Sequence, residues 1–236
     1  MSAKTTLFRQ VLPQFKAASP YFTTVAIARR VQELNLAISD GTLPVYLTEA
    51  TATGLIHDAG RGWYSSLVQE FKLDPKPVAP LVRALEKKFP LLDFHCWATA
   101  QINPYMHHLL GKSVAFVNTD SDAMEAVADF LRSTGYDAHL NPRGDAASKF
   151  TLRDKTVVVR KRVLTAPVDG HFARIETLLV DLFLESQRLV LMDASEFQDM
   201  ARAVASAGRL ALASLVAYAA DRKQTVAAVF GADWVK

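Results

Sequence analysis

The sequence predicts an α/β (α+β) protein in two parts: an N-terminal part of helices with one β-hairpin, and a mixed α/β part with a helical end. Two patterns support this class. Apolar residues recur at three- and four-residue steps in many segments, whereas residues 113–118 (SVAFVN) form a continuous apolar run typical of a buried strand. Three prolines within residues 75–80 disfavour a continuous helix. We therefore expect domains at 1–70 and 81–236, joined by a Pro-rich linker at 71–80.

The chain begins with a predicted helix over residues 5–17, in which Leu7, Val11 and Phe15 form an apolar stripe. Pro13 lies inside this segment. Because proline lacks the backbone N–H that a helix interior uses, it predicts a kink or an early end.

A second helix is predicted around Ile27, Val31 and Leu34, whose three- and four-residue spacing marks a buried stripe. Arg29 points away from this stripe and Arg30 lies on its flank. Both arginines are therefore expected to reach the surface of the N-terminal part.

A third helix is predicted to begin between Asp40 and Pro44, because an Asp or Thr side chain caps free N–H groups and proline is tolerated in the first turn. Its expected buried stripe is Leu43, Leu47, Ala50 and Gly54. At about 100° per residue, the opposite face is small and rich in hydroxyl groups. That outward face comprises Val45, Tyr46, Thr48, Glu49, Ala52 and Thr53.

A β-hairpin is predicted next, because apolar pairs flank residues 57–62 (HDAGRG), where two glycines permit a tight turn. Arg61 occupies its tip. Two helices followed by such a hairpin are typical of a winged helix-turn-helix. A small structural bundle with a solvated helix face is the alternative interpretation.

The winged-helix interpretation assigns two kinds of DNA contact. Arginines are suited to phosphates or the minor groove, and short polar side chains can read base edges in the major groove. The candidate DNA-binding residues are Arg29, Arg30, Tyr46, Thr48, Glu49, Thr53 and Arg61.

The second part has a pattern of predicted strands mixed with predicted helices. Strands are predicted at residues 91–98, 113–118, 136–140 and 156–163. Helices are predicted at residues 99–110, broken near Pro104, and at 120–133. From residue 172 onward the pattern is helical, in three segments.

Composition limits the class of protein. Half of the 236 residues are hydrophobic, and the single Cys96 excludes an intramolecular disulfide framework. We expect a soluble cytoplasmic protein, because no signal peptide or membrane span is evident.

The positive charge is concentrated in the N-terminal part. The net charge of the chain is +3, but residues 1–90 carry 11 Lys and Arg against 7 Asp and Glu, which suits an N-terminal nucleic-acid-binding module.

Enzyme hypotheses rest on few residues. Asp120 and Asp122 follow a strand, where paired acids can hold Mg²⁺, but acids at a helix start also cap N–H groups. A soft-metal site could use only His95, Cys96, His107 and His108. The first two should point to opposite faces of a strand, and the adjacent histidines should diverge on a helix. No P-loop, GxGxxG, HExxH or GxSxG motif occurs, so we expect no cofactor, no metal and no enzymatic activity.

Several short motifs, in order along nearly the whole chain, carry a family resemblance. They are RGWYS in the hairpin, Trp97-Ala98-Thr99, VVVRKRVLTAP, IETLLVDLF and YAADRK. On these motifs the chain resembles the AbiEi-type antitoxins, winged-helix regulators of bacterial type IV toxin–antitoxin, or abortive-infection, systems.

The resemblance implies a DNA-binding autorepressor whose C-terminal domain opposes a nucleotidyltransferase-like toxin. The expected partners are an operator in double-stranded DNA, a second copy of the chain in a homodimer or cooperative pair on an inverted repeat, and that toxin. Two alternatives stay open. One is a nucleotidyltransferase-like enzyme that uses Asp120 and Asp122, and the other is a protein-interaction subunit of a defence complex that does not bind DNA.

Overall fold

The computed structural model describes residues 2–106, 112–232 and 234. These residues form a mixed α/β fold with one three-stranded and one six-stranded sheet. No helix in the described ranges has both the length and the apolar character needed to cross a membrane.

The first helix, α1, covers residues 3–18 and does not end at Pro13. Ser2 caps it by accepting from the Thr5 amide. Its middle turn, Leu7–Val11, is a π-turn in which the Leu12 amide donates to the Leu7 carbonyl. A π-turn shifts the hydrogen-bond register by one residue, and Pro13 then lies in the first turn of the α-helical segment Leu12–Ala18, where proline is tolerated. Of the two predicted outcomes, a kink or an early end, the early end is therefore wrong.

A small three-stranded antiparallel sheet and two helices follow α1. They are β1 (Tyr21–Thr23), α2 (Thr24–Glu33), α3 (Thr42–Ala52), β2 (His57–Asp58) and β3 (Trp63–Ser65). The strand order is β1-β3-β2. The hairpin of β2 and β3 was predicted. Strand β1 was not, because three residues are too few for an alternating pattern.

The three N-terminal helices share one core with the small sheet. Ile27 and Val31 of α2 pack there with the buried stripe of α3, and Ile56 from the hairpin joins them. Two predicted stripe positions are wrong. Leu34 is 38% exposed because it follows the last turn of α2. Gly54 is exposed and lies beyond α3 with φ +72°, where it ends the helix instead of packing.

The large sheet has the strand order β6-β7-β5-β4-β9-β8. Its strands are β4 (Phe94–Ala98), β5 (Val114–Thr119), β6 (Asp137–Leu140), β7 (Thr156–Lys161), β8 (Val168–Asp169) and β9 (Phe172–Ala173). Strands β6, β7 and β5 are parallel, and β4 is antiparallel to β5. The four longer strands match the predicted ones, whereas the β8–β9 hairpin was not predicted.

Helices cover both faces of the large sheet. On one face, α4 (Ala79–Lys88) and α5 (Met124–Ser133) pack against Cys96, Val117 and Val159. The opposite face, with Trp97 and Phe116, packs against the C-terminal helices. The remaining helices are α6 (Asp145–Ser148), α7 (Ile175–Leu189), α8 (Ala194–Ala207), α9 (Leu212–Asp221) and α10 (Val226–Phe230). Alternate residues of each strand therefore enter different cores.

The predicted helix over residues 99–110 is wrong where the structure describes it. Two short 3₁₀ turns, Thr99–Gln101 and Asn103–Tyr105, stand there instead. The Ala98 amide donates to the Gln101 side chain, which fixes the first turn, and Pro104 lies in the second. The rest of that prediction, residues 107–110, lies outside the described residues.

The N-terminal part packs directly on the C-terminal helices. The buried Tyr21 hydroxyl donates to the Gly208 carbonyl (2.9 Å) and accepts from the Leu210 amide (2.8 Å). The Ala213 amide at the start of α9 donates to the Ala59 carbonyl of the hairpin (3.1 Å). Within the predicted linker, the Phe71 amide donates to the Arg209 carbonyl (2.9 Å). The division into two domains at residues 71–80 stays a prediction.

We expect Gly60→Ala to destabilise the protein more than Gly62→Ala. Both glycines have a positive φ, of 97° and 79°. A Cβ on Gly60 would lie 2.5 Å from the Ala213 Cβ, whereas nothing lies within 4 Å of one on Gly62. Gly62→Ala should cost about 1 kcal/mol through backbone strain, and Gly60→Ala about 1–3 kcal/mol more. Urea unfolding measures the free energy of unfolding of both variants. Equal decreases would show that the hairpin does not pack closely against α9 at Gly60.

Candidate functional site

The outward face of α3 is a short polar surface on a helix with defined ends. The Ser39 hydroxyl accepts from the Thr42 amide at its start (3.2 Å), and Gly54 follows its end. Because Leu43 and Leu47 are buried, Val45 and Thr48 face outward, and both are exposed. Val45, at 62%, is one of several large apolar side chains that are exposed in this protein.

Glu49 and Tyr46 of α3 contact Lys4 of α1. The Lys4 ammonium lies 2.6 Å from Glu49 Oε1, and it also lies 5.7 Å from the centre of the Tyr46 ring. Both partners of the ion pair are partly exposed, so the pair is readily opened. Glu49 is therefore not a free side chain in the isolated protein, which its sequence position could not show.

The two predicted arginines of α2 differ in their surroundings. Arg29 is exposed. Arg30 forms an ion pair with Glu33 one turn later (3.0 Å). Within the described part of the chain Arg29 forms no ion pair, so its positive charge is the less compensated of the two.

Arg61 lies at the exposed tip of the hairpin, as predicted. The turn is closed by the Trp63 amide, which donates to the Gly60 carbonyl (2.8 Å). The Gly62 carbonyl accepts from the Thr24 amide (3.0 Å), so the tip lies beside the start of α2. The structure thus brings Arg61 and α2 together. Thr53 lies apart, at the last turn of α3, where its hydroxyl donates to the Glu49 carbonyl (3.0 Å).

A second candidate site is a polar cavity of about 440 Å³ on the C-terminal side of the molecule. It lies between the face of the large sheet that carries Phe116 and helices α7 and α9. Its walls contain several charged side chains that are buried. Burying a charge is costly unless it is paired, so the partners of these groups define the site.

Arg160 of β7 and Glu185 of α7 form a buried ion pair in this wall, with side chains 7% and 3% exposed. Arg160 Nε donates to Glu185 Oε1 (3.1 Å). Its Nη1 donates to Asn141 Oδ1 (3.0 Å) and to the Pro142 carbonyl (2.9 Å). Burial lowers the pKa of Arg160, and the hydrogen bond with Glu185 opposes that shift. The pair joins the sheet to α7.

Asp181, one turn before Glu185, is held by two residues of the α9 region. The Tyr218 hydroxyl donates to Asp181 Oδ1 (2.8 Å), and Arg222 Nη1 lies 3.1 Å from the same oxygen. Burial raises the pKa of Asp181 to about 6, against the opposing charge of Arg222. This carboxyl therefore titrates close to neutral pH.

Three buried polar atoms beside these pairs have no hydrogen-bond partner among the described residues. They are His95 Nε2, Trp97 Nε1 and Asn118 Nδ2. Burial, together with the charges of Arg162 and Arg222, lowers the pKa of His95 to about 4, so this imidazole is neutral at pH 7. His95 pairs with Asn118 across strands β4 and β5, so the two side chains are neighbours.

The acids Asp120 and Asp122 of the enzyme hypothesis have different surroundings. Asp120 Oδ1 lies 2.6 Å from Arg162 Nε, and Arg162 also contacts Asp93 (3.1 Å). Asp120 makes no side-chain cap bond, so the predicted capping role is wrong for this residue. Asp122 is exposed.

The described residues contain no group of three or more His, Cys, Asp or Glu side chains that could hold a metal ion. His95 and Cys96 enter opposite sides of the sheet, as predicted, and Cys96 packs in the core beneath α4 and α5. Burial raises the pKa of the Cys96 thiol. His107 and His108 lie outside the described residues.

Sequence reasoning missed the polar cavity, although two signals pointed to it. Asp181 and Glu185 stand four residues apart and flank the apolar run Leu182–Leu184 of α7, so they share one face of a buried helix. Arg160 and Arg162 stand two residues apart after the apolar run Val157–Val159 and therefore share one face of the predicted strand. Oppositely charged residues on two buried faces indicate that those faces pack together.

We expect Asp181→Asn to change how stability depends on pH. The pKa of Asp181 is raised from 3.8 to about 6 by folding. Protonated Asp181 therefore adds fully to the free energy of unfolding below about pH 4, and this addition is lost as the pH rises through 6. This two-unit shift corresponds to about 3 kcal/mol at most. Between pH 4 and 7, the free energy of unfolding of the variant should rise relative to the parent by up to that amount.

Urea unfolding at several pH values measures this difference. His95 titrates in both proteins, so its opposite contribution cancels in the comparison. Asp199→Asn is the matched control, since Asp199 is exposed. If the Asp181→Asn and parent curves stay parallel from pH 4 to 7, Asp181 is not the group that titrates near 6.

Comparison with known proteins gives one result that covers most of the chain. Residues 42–228 match the model of a family described as "Family of unknown function (DUF6577)". No curated protein matches the sequence. The matched region begins at the first residue of α3 and extends into α10, so it includes the outward face of α3, the hairpin and the polar cavity. Since it covers well over half of the 236 residues, the chain belongs to the family of unknown function DUF6577.

Proposed function

We propose that the protein is a DNA-binding transcriptional regulator and that residues 2–66 form its winged helix-turn-helix. The observation that carries the proposal is the order of elements: helix, strand, two helices and a hairpin around one core, with strand order β1-β3-β2. In this arrangement α3 is the recognition helix, which enters the major groove, and the hairpin is the wing.

The exposed side chains of this region suit duplex DNA. Arg29 and Arg61, which form no ion pair with another described residue, supply positive charge from α2 and the wing tip for phosphate or minor-groove contacts. Thr48 offers a hydroxyl for base edges. Val45, exposed on the same face of α3, can contact a thymine methyl group. Arg30, Tyr46, Glu49 and Thr53 flank these residues and complete the proposed surface.

Two copies of the chain are proposed to act together on an inverted repeat. The N-terminal part has an excess of only four positive charges, so one copy neutralises few phosphates and binds weakly alone. A dimer doubles this charge and places two recognition helices about one or two turns of DNA apart.

The biological role follows from the resemblance to the AbiEi-type antitoxins. On that basis we propose that the protein represses its own operon and that its C-terminal part opposes a nucleotidyltransferase-like toxin. DNA binding has support from geometry as well as from the resemblance. It is therefore the part of the proposal to test first.

Arg29→Ala and Arg61→Ala should each weaken binding to every duplex, whatever its sequence. Each phosphate contact releases about one counterion, so each loss should flatten the slope of log affinity against log salt by about one unit. Fluorescence anisotropy with the protein's own promoter and with random duplex, between about 50 and 200 mM salt, measures both effects.

Arg83→Ala is the matched control for the arginine variants. Arg83 is an exposed arginine on α4, outside the proposed surface. It should leave both the affinity and the salt slope unchanged. If Arg29→Ala and Arg61→Ala behave like Arg83→Ala, DNA does not lie along α2 and the wing.

Thr48→Ala should weaken binding to the native operator by about 1–3 kcal/mol and leave binding to random duplex nearly intact, because the lost contact reads a base edge. Thr51→Ala is the matched control on the same helix. Both hydroxyls donate to the carbonyl four residues earlier at 2.9 Å, but Thr51 is partly buried. Equal operator affinities for the two variants would show that α3 does not read the sequence.

A further inference from the structure

We propose that the polar cavity between the large sheet and helices α7 and α9 binds a small phosphorylated molecule of nucleotide size. Its volume of about 440 Å³ is in the range of small-molecule sites, about 300–1,000 Å³. The cavity lies near the carboxyl ends of the parallel strands β5 and β7, since Asn118 and Arg160, the second-to-last residues of those strands, line it. This is the edge of an α/β sheet at which ligands bind.

Two buried donors line the cavity without an acceptor in the described chain. Asn118 is 4% exposed and Trp97 is 1% exposed, and Asn118 Nδ2 and Trp97 Nε1 have no hydrogen-bond partner there. Asn118 shares its face of β5 with Phe116, which stacks on Trp97 with ring centres 4.0 Å apart. Buried donors are normally satisfied, so these two are explained by a ligand that brings acceptor oxygens.

The residues that line the cavity carry a net positive charge, which favours an anionic ligand. Seven Lys and Arg residues and three carboxylates line the cavity. Arg160 is fully engaged by Glu185 and neighbouring oxygens. By contrast, Arg143, Lys161 and Lys223 form no ion pair in the residues that the structure describes. The positive excess therefore remains after the internal pairs are formed.

A phosphorylated ligand fits this chemistry better than a neutral one or a singly charged one. Several cations in one small site repel one another, and a ligand with two or more negative charges removes that repulsion. Guanidinium groups bind phosphate oxygens in a bidentate manner, and Arg143, Arg188 and Arg222 all reach this cavity.

Isothermal titration of the full chain with ADP and with pyrophosphate tests the proposal without any DNA. Arg143→Ala and Lys223→Ala should each weaken the binding of ADP about tenfold, the usual loss for one hydrogen bond to a charged group. Both residues are exposed, so the fold should persist. Arg83→Ala and Lys87→Ala on α4, far from the cavity lining, are the matched controls and should bind like the parent.

Asn118→Asp adds a test of the buried donor. It keeps the shape of the side chain but replaces the donor with a negative charge, so ADP binding should fall at least about tenfold. Thermal unfolding reports whether this variant folds, and the two exposed variants decide if it does not.

Three results would overturn the proposal. The first is no binding of ADP at millimolar concentration, even where pyrophosphate binds. The second is ADP binding that Arg143→Ala and Lys223→Ala leave unchanged. The third is an equal loss of ADP affinity in the α4 controls.

The relative affinities of the two probes show which part of the ligand is recognised. If pyrophosphate binds as tightly as ADP, the phosphates alone are recognised. Tighter binding of ADP would show that the nucleoside also contacts the cavity. Both of these rankings support the proposal.

Discussion

The pairing of three buried carboxylates on α7 is the constraint on which the C-terminal fold depends. Glu176, Asp181 and Glu185 are each no more than 3% exposed. Glu176 accepts from the Ala211 amide (2.7 Å), Asp181 from Tyr218, and Glu185 from Arg160. Removing one member of a buried pair typically costs about 3–5 kcal/mol, because the other charge stays buried. The positions of β7 and α9 around α7 are therefore fixed by charge as well as by packing.

Much of the fold could be predicted from local pattern, and the failures have physical causes. The long strands and the amphipathic helices have a clear period, so their existence was predictable. Pro13 does not end the helix early: a π-turn, Leu7–Val11, precedes it and the helix continues to Ala18. The helix predicted from residue 99 failed because the Gln101 side chain holds a 3₁₀ turn there. Strands such as β1 and β9 exist only through tertiary pairing, which a local pattern does not contain.

The candidate sites show the same division between local and tertiary information. Exposure of Arg29, Thr48 and Arg61 followed from periodicity and turn residues, because it is a local property. The pairing of Glu49 with Lys4 joins residues 45 positions apart, and no spacing within α3 predicts it. The cavity forms only through tertiary contacts, since residues from the sheet, α7 and α9 meet there. Its buried charges were visible in the sequence, but their partners were not.

The two candidate sites share one element, α9. At its carboxyl end, Tyr218 and Arg222 hold Asp181 at the wall of the cavity. At its start, Ala213 bonds the hairpin at Ala59 and leaves no room for a side chain on Gly60. This ten-residue helix spans about 15 Å between the two sites. The same helix therefore lines the cavity at one end and, through the hydrogen bond from the Ala213 amide to the Ala59 carbonyl, holds the hairpin that carries Arg61 at the other.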